Sequence, residues 1–446
     1  MSQKINKQFL LLTFVFISWV TMWFSINAIP YEIKDMNNNI VNFLNGSRSI
    51  GAILISITSL VLLIFLIILK KIKKFSIILI LFTLYFIFQF IGLLVNDTRV
   101  TDIHSAYLIL YAMSIISILA IIDIEKLHKI IPYFFYIALS ILTIAYLIIL
   151  SQSTDNFISI IAGNLYNLFH PDEMIFDQAP PRISGLTRSF AIISLSLLVI
   201  FTYNKKIKIL SPIIFSLVIF LSMFIWIAQS RGTLICYYST AIFFIIFLND
   251  LNKFKKFLII VSITIISIIA CNEIIKFTKK KLYKVEGDLV LRVLKKETGT
   301  SGRITLWKSA LERFEKKKIF GYGPQADRIL LKDYNKKYGN NVSNSIMYSL
   351  LSGGYFSLAT LIIIYMYSAY IILNFFLINK VFFSKFKITK ENIFVVISLV
   401  YTVFFIIRSL FENSFGVFSI DFLILILSLF TIEKSKSIRD KSLFNF

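Results

Sequence analysis

The sequence predicts an all-α polytopic membrane protein of about twelve transmembrane helices, and three observations carry that prediction. Of its 446 residues, 57% are hydrophobic and 16% charged, whereas soluble domains run near 45–50% apolar and about 25% charged. The excess is not pooled into a larger core. It recurs as apolar runs of roughly twenty residues, the length that crosses about 30 Å of hydrocarbon at 1.5 Å per residue. The runs are continuous rather than alternating, which selects helices over a closed barrel, the two structures that satisfy every backbone group in lipid.

Taken in order, the predicted spans cover about 8–29, 48–69, 75–95, 103–122, 130–150, 187–203, 209–229, 232–248, 257–275, 346–376, 392–411 and 416–432. The first begins after Lys4 and Lys7, as a signal peptide would, but reaches Trp23 and Phe24 without a small-residue cleavage site, so it reads as an uncleaved span. Alternate connections carry most of the lysines: Lys70 to Lys74, Lys126 and Lys129, Lys205 to Lys208, Lys253 to Lys256, Lys380 to Lys390, and the tail from Lys434. With Lys4 and Lys7 these hold 22 basic residues, against seven in the short connections of the opposite side. Basic residues mark cytoplasmic loops, so both termini are expected in the cytoplasm.

Residues 1–446 therefore read as a single integral membrane domain with two sizeable external loops, at 151–186 and 276–345. The second carries the remaining 18 basic residues, between Lys276 and Lys337, against seven acidic ones. Long loops translocate largely regardless of charge, so its basicity does not conflict with an external position. The net charge of +23 is topogenic first, and gives no reason to expect nucleic acid. Cys236 and Cys271 lie inside apolar runs, which offers no disulfide or thiolate metal site. No metal-ligand motif or Gly-rich phosphate loop appears, and no metal or cofactor is expected.

The basic residues outside differ in kind from those inside. Membrane-proximal external positions are arginines: Arg182, Arg188, Arg231, Arg303 and Arg408. The guanidinium fork makes bidentate contacts to phosphate and pyrophosphate. Near the bilayer a charge is costly and marks a partner or a function. Arg231 sits in Gln229-Ser230-Arg231-Gly232, a turn too short to let it move far; snorkelling to headgroups is the alternative. Arg303 opens a predicted amphipathic helix over 304–318, with Leu306, Ala310, Leu311 and Phe314 on its apolar stripe. Free backbone N–H groups at a helix start also favour an anion. A helix lying on an acidic lipid surface is compatible with that reading. Gly321-Tyr322-Gly323-Pro324 then makes a turn. Glu412 stands four residues after Arg408, so it reads either as a local i,i+4 partner or as a general base near the site. Tyr322 is the second candidate for the base.

In sequence order, Arg182-x-x-Gly185, Gln229-Ser230-Arg231-Gly232, Ser301-Gly302-Arg303-x-x-x-Trp307-x-x-Ala310, Gly321-x-Gly323, Asn344 and Gly354 resemble the O-antigen ligase and polymerase superfamily. The resemblance covers about residues 180–415. It implies a GT-C-like, metal-independent glycosyltransferase of the bacterial inner membrane with its active site facing the periplasm. The donor and acceptor it implies are glycans linked to polyprenyl pyrophosphate. A chain-length regulator protein and membrane lipid would be partners. Arg231 and Arg303 match the arginines expected on the donor's pyrophosphate; Glu412, from its position alone, is the first candidate for the catalytic base. Arg182, Arg188, Arg408, Tyr322 and Asn344 are expected to bind substrate. The ligase branch carries a His-Asn pair where this chain has Ser343-Asn344, followed by Gly354-x-x-Ser357. That departure favours polymerisation of repeat units over transfer to lipid A core. A lipid-linked oligosaccharide transporter is the rival from another class. Transporters tend to show internal repeats and midplane polar groups, which this sequence lacks.

Overall fold

The computed structural model describes residues 76–96, 183–203, 210–227, 231–247, 252–282, 303–331, 342–378, 388, 392–416 and 420–443. These residues are helices and their connections, with no strand among them. In chain order the helices are α1 (Ile77–Val95), α2 (Ile183–Tyr203), α3 (Leu210–Ile227), α4 (Arg231–Phe247), α5 (Lys253–Leu282), α6 (Arg303–Phe314), α7 (Ala326–Leu330), α8 (Ser345–Ile378), α9 (Ile393–Ser409) and α10 (Ile420–Leu443). Eight of the predicted spans coincide with α1 to α5 and α8 to α10. The other four, 8–29, 48–69, 103–122 and 130–150, lie outside the described residues, as does most of the loop 151–186.

Two stretches, Ile77–Val95 and Ser345–Leu377, are long and apolar enough to cross a membrane on their own. The outer face of α8 shows why water is the wrong solvent for it. Ile363, Met366, Tyr370, Leu373 and Leu377 recur at three- and four-residue spacing and are all exposed, Met366 at 67%. An apolar stripe of that length is a liability in water and at home in lipid. This is the architecture of a helical membrane protein.

Packing pairs α1 with α8, α2 with α3 and α9 with α10, and α4 lies against α9. Tyr85, Phe82 and Phe86 of α1 are fully buried. Phe82 stacks on Phe415 at 6.1 Å and Phe86 meets Phe422 edge-on at 4.9 Å. These aromatic contacts fix the turn between α9 and α10 against α1, with geometry aromatic pairs favour.

α8 is bent at Gly353 (φ −135°, ψ 15°) and Gly354 (φ 63°, ψ −156°). The second is a conformation that side chains other than glycine's scarcely adopt. The bend interrupts the helical ladder, and the carbonyls it releases are taken up by the Gly321–Gly323 turn. Tyr322 N–H donates to Leu351 O at 2.7 Å and Gly323 N–H to Ser352 O at 2.8 Å, while Tyr355 N–H returns to Lys318 O at 2.9 Å. A Cβ on Gly321 would stand 2.6 Å from Leu351 O, and one on Gly354 2.2 Å from Ile319 O. The glycines are there so that two backbones can touch. Gly92 of α1 joins the same contact, a Cβ there falling 2.1 Å from Phe320 O.

α6 ends at Phe314, earlier than the predicted Lys318, and its last turns give way to a tight connection. Leu306, Ala310 and Phe314 are buried on the expected stripe. Leu311 is not; it is 41% exposed. At 100° per residue it lies about 100° round the helix from Ala310. Arg303, three and seven residues before Leu306 and Ala310, falls on the inward stripe instead.

Candidate active site

The starts of α4, α6 and α8 meet at the turn 409–416, which follows Arg408 in the last turn of α9 and precedes α10. α9 brings Arg408, with 3% exposure, and α10 brings Asp421 in its first turn, with 1%. Arg408 Nη1 donates to Asp421 Oδ2 at 2.7 Å. Arg188 of α2 approaches the other oxygen, Nη1 to Oδ1 at 2.9 Å, and Ser414 Oγ donates to Oδ2 at 3.0 Å. One carboxylate thus cross-links three helices with two guanidinium groups. Arg408 at the C-terminus of α9 and Asp421 at the N-terminus of α10 sit at the favourable ends of their helices. Removing one partner from such a buried set leaves an uncompensated charge, at a cost of about 3–5 kcal/mol.

Asn344 and Ser345 tie the start of α8 to the same turn. Asn344 Oδ1 accepts from Ile346 N–H at 2.8 Å and Met347 N–H at 3.0 Å, which makes it the N-cap of α8. Its amide nitrogen donates to Leu410 O at 2.9 Å. Ser345 Oγ donates to Glu412 O at 3.3 Å and accepts from Phe415 N–H at 3.2 Å. Glu412 N–H donates to Arg408 O at 2.8 Å. The backbone carrying Glu412 is therefore held from both sides, and its carboxylate is left to reach outward.

That carboxylate meets Arg303. Arg303 Nη2 donates to Glu412 Oε1 at 3.3 Å, with the two side chains 28% and 27% exposed. Arg303 is the first residue of α6, where the helix dipole disfavours a cation. Trp307, one turn on, anchors α6 by donating from Nε1 to Val342 O at 2.7 Å, just before the Asn344 cap. The local i,i+4 pair expected between Arg408 and Glu412 is not the one formed: each has a partner distant in sequence, because burial turns Arg408 inward to Asp421.

Arg231 opens α4, and the adjacent Gly232 lies against the turn, a Cβ there meeting Phe411 Cβ at 3.5 Å. The side chain of Arg231, and the whole of Arg182, lie outside the described residues. Tyr322 stands in the glycine contact with α8 rather than on the turn. Its hydroxyl donates to Arg313 O at 2.9 Å, and burial raises its pKa above 10 despite the opposing effect of Arg313. At neutral pH it is a hydrogen-bond donor and not a base.

Asp421 was missed at the sequence level, although its signal was present: an acid inside an apolar run of spanning length marks a site by default. Ser345 and Ser414 carry no such signal, since serine is unremarkable at a helix start or in a turn.

Residues 183–362, from α2 through the first half of α8, match the family model described as O-antigen ligase. The match makes that stretch similar to the O-antigen ligase and polymerase superfamily, whose members are glycosyltransferase-like membrane proteins acting on lipid-linked glycans. It contains Arg188, Arg231, Arg303, Tyr322 and Asn344; the turn with Arg408, Glu412 and Asp421 lies beyond it. No curated protein matches the chain at a significant level.

Proposed function

We propose that the chain polymerises glycan repeat units carried on polyprenyl pyrophosphate into a surface polysaccharide of the O-antigen or capsule type. The observation that carries this reading is the part-exposed Arg303–Glu412 pair on a turn that the start of α4 also reaches, with the enclosed Arg188–Asp421–Arg408 set bracing the neighbouring helix ends. Helix starts of α4, α6, α8 and α10 add the positive ends of their dipoles there. Such a site suits the pyrophosphate of a lipid-linked donor, whose tail accounts for a membrane scaffold.

The acceptor's hydroxyl oxygen attacks the anomeric carbon of the donor glycan. The bond from that carbon to the pyrophosphate oxygen breaks, and its electron pair leaves with polyprenyl pyrophosphate. Arg303 and Arg231 stabilise the charge that develops; one such contact is typically worth about 3 kcal/mol. Glu412 takes the hydroxyl proton as the glycosidic bond forms and returns it to water afterwards. The cations are supplied by guanidinium groups, so the step needs no metal.

The two ends of the bundle support a periplasmic site. Ser76, just after Lys70 to Lys74, hydrogen-bonds Glu433, which Tyr367 also reaches at 2.9 Å. Glu433 directly precedes the basic tail from Lys434. Ser76 and Glu433, each next to a lysine-rich segment in the sequence, thus meet away from the arginine turn, as residues bordering cytoplasmic loops would.

Purified protein supplied with a polyprenyl-pyrophosphate repeat unit should produce a ladder of lengths, and Arg303→Ala should abolish it. A ligase, the activity the family description names, would instead need lipid A core. Loss of a polymerase leaves single repeat units on core, whereas loss of a ligase leaves none. Ser343, where the ligase branch has histidine, favours the first outcome.

A further inference from the structure

The structure separates its ion pairs into two kinds. Asp421 and its two arginines are almost fully enclosed. Arg303 and Glu412 are joined by a single contact of 3.3 Å, each more than a quarter exposed. Pairs of the first kind are costly to open; pairs of the second kind are worth little and exchange readily. The backbone of Glu412 is fixed by Arg408 O and Ser345 Oγ, so only its carboxylate is free to swing. Among the described residues Arg303 has no other acidic partner, and Glu412 no other basic side chain within ion-pair distance.

We infer that Glu412 is an internal occupant of the place on Arg303 that the donor's pyrophosphate takes, and that donor binding releases the carboxylate to act as base. The inference rests on the reading of Arg303 as a pyrophosphate ligand and adds an order to it. Without donor, an acceptor hydroxyl meets a carboxylate engaged with a guanidinium. With donor, the pyrophosphate replaces that carboxylate oxygen by several of its own, and Arg303 exchanges a weak single contact for a bidentate one. Glu412 then faces the acceptor with no cation attached. Chemistry thus waits for the donor, without a lid or domain movement.

A double-mutant cycle tests this on full-length protein in nanodiscs, with undecaprenyl pyrophosphate lacking any glycan as the probe. Glu412→Gln keeps the size of the side chain and removes its charge. It should tighten probe binding about two- to fivefold, the release of one partly exposed pair, while ladder formation falls. Arg303→Ala should weaken binding, and on that background Glu412→Gln should no longer tighten it. Binding unchanged or weakened by Glu412→Gln in the wild-type background would overturn the exchange while leaving Arg303 a pyrophosphate ligand. Equal tightening in both backgrounds would also overturn it, since a long-range charge effect does not need Arg303. Absence of probe binding to folded wild-type protein removes the functional reading, and the exchange with it.

Discussion

At the residue scale, burial divides the charged groups by role. Asp421 holds Arg188 and Arg408 where water does not reach, so its contribution is first to integrity. Asp421→Asn should destabilise the protein by about 3–5 kcal/mol, read as a lowered detergent melting temperature and reduced accumulation. Glu412→Gln should leave both unchanged, because a partly exposed pair contributes about 0–1 kcal/mol. If the two variants lose stability equally, the division by burial is wrong. Arg303→Ala should accumulate normally yet form polymer at least about a hundredfold more slowly, the usual cost of one contact to developing charge. Arg303→Lys should also be impaired, since the fork is lost. Tyr322 belongs with the structural residues. Its pKa lies above 10 because burial disfavours the phenolate. The neutral form therefore persists throughout the range in which activity is measured, and its contribution fades only as pH rises past that raised value. Tyr322→Phe should leave the shape of the pH–rate profile unchanged while giving up about 1 kcal/mol from the bond to Arg313 O.

At the element scale, the start and the bend of α8 do the positioning. Asn344 caps the helix and holds Leu410 O, so it links α8 to the turn that carries Glu412. Asn344→Asp retains the acceptor for the cap but loses the donor to Leu410. It should keep most of the stability and lose polymer yield, whereas Asn344→Ala should lose about 1 kcal/mol more from the cap. Comparing the two by melting temperature and ladder intensity separates capping from positioning. The bend at Gly354 tolerates no side chain: φ is positive, and a Cβ would sit 2.2 Å from Ile319 O. Gly354→Ala should prevent accumulation of folded protein. The pattern Gly321-x-Gly323 with Gly354, weak as a motif for phosphate, is a device for bringing two backbones and α1 into contact.

At the scale of the whole molecule, the arginines end on one side of the bundle and the Ser76–Glu433 contact on the other. Single cysteines introduced into the Cys-free protein at Lys308 and Lys436 should react with an impermeant thiol reagent from opposite faces of the membrane. Labelling of both from one face would remove the periplasmic assignment. Helical class and eight of the described helices, to within a few residues at most ends, were legible in the sequence, because hydropathy and helix periodicity are local properties. Which cation meets which anion was not. Arg408 and Glu412 are one turn apart and invite each other on a helical wheel, yet Arg408 turns to Asp421 and Glu412 to Arg303, 109 residues away. Only the packing of α2, α6, α8 and α10 around one turn sets which charges are enclosed, and in a low-dielectric interior enclosure, more than spacing along the chain, determines which pairs are fixed and which can exchange.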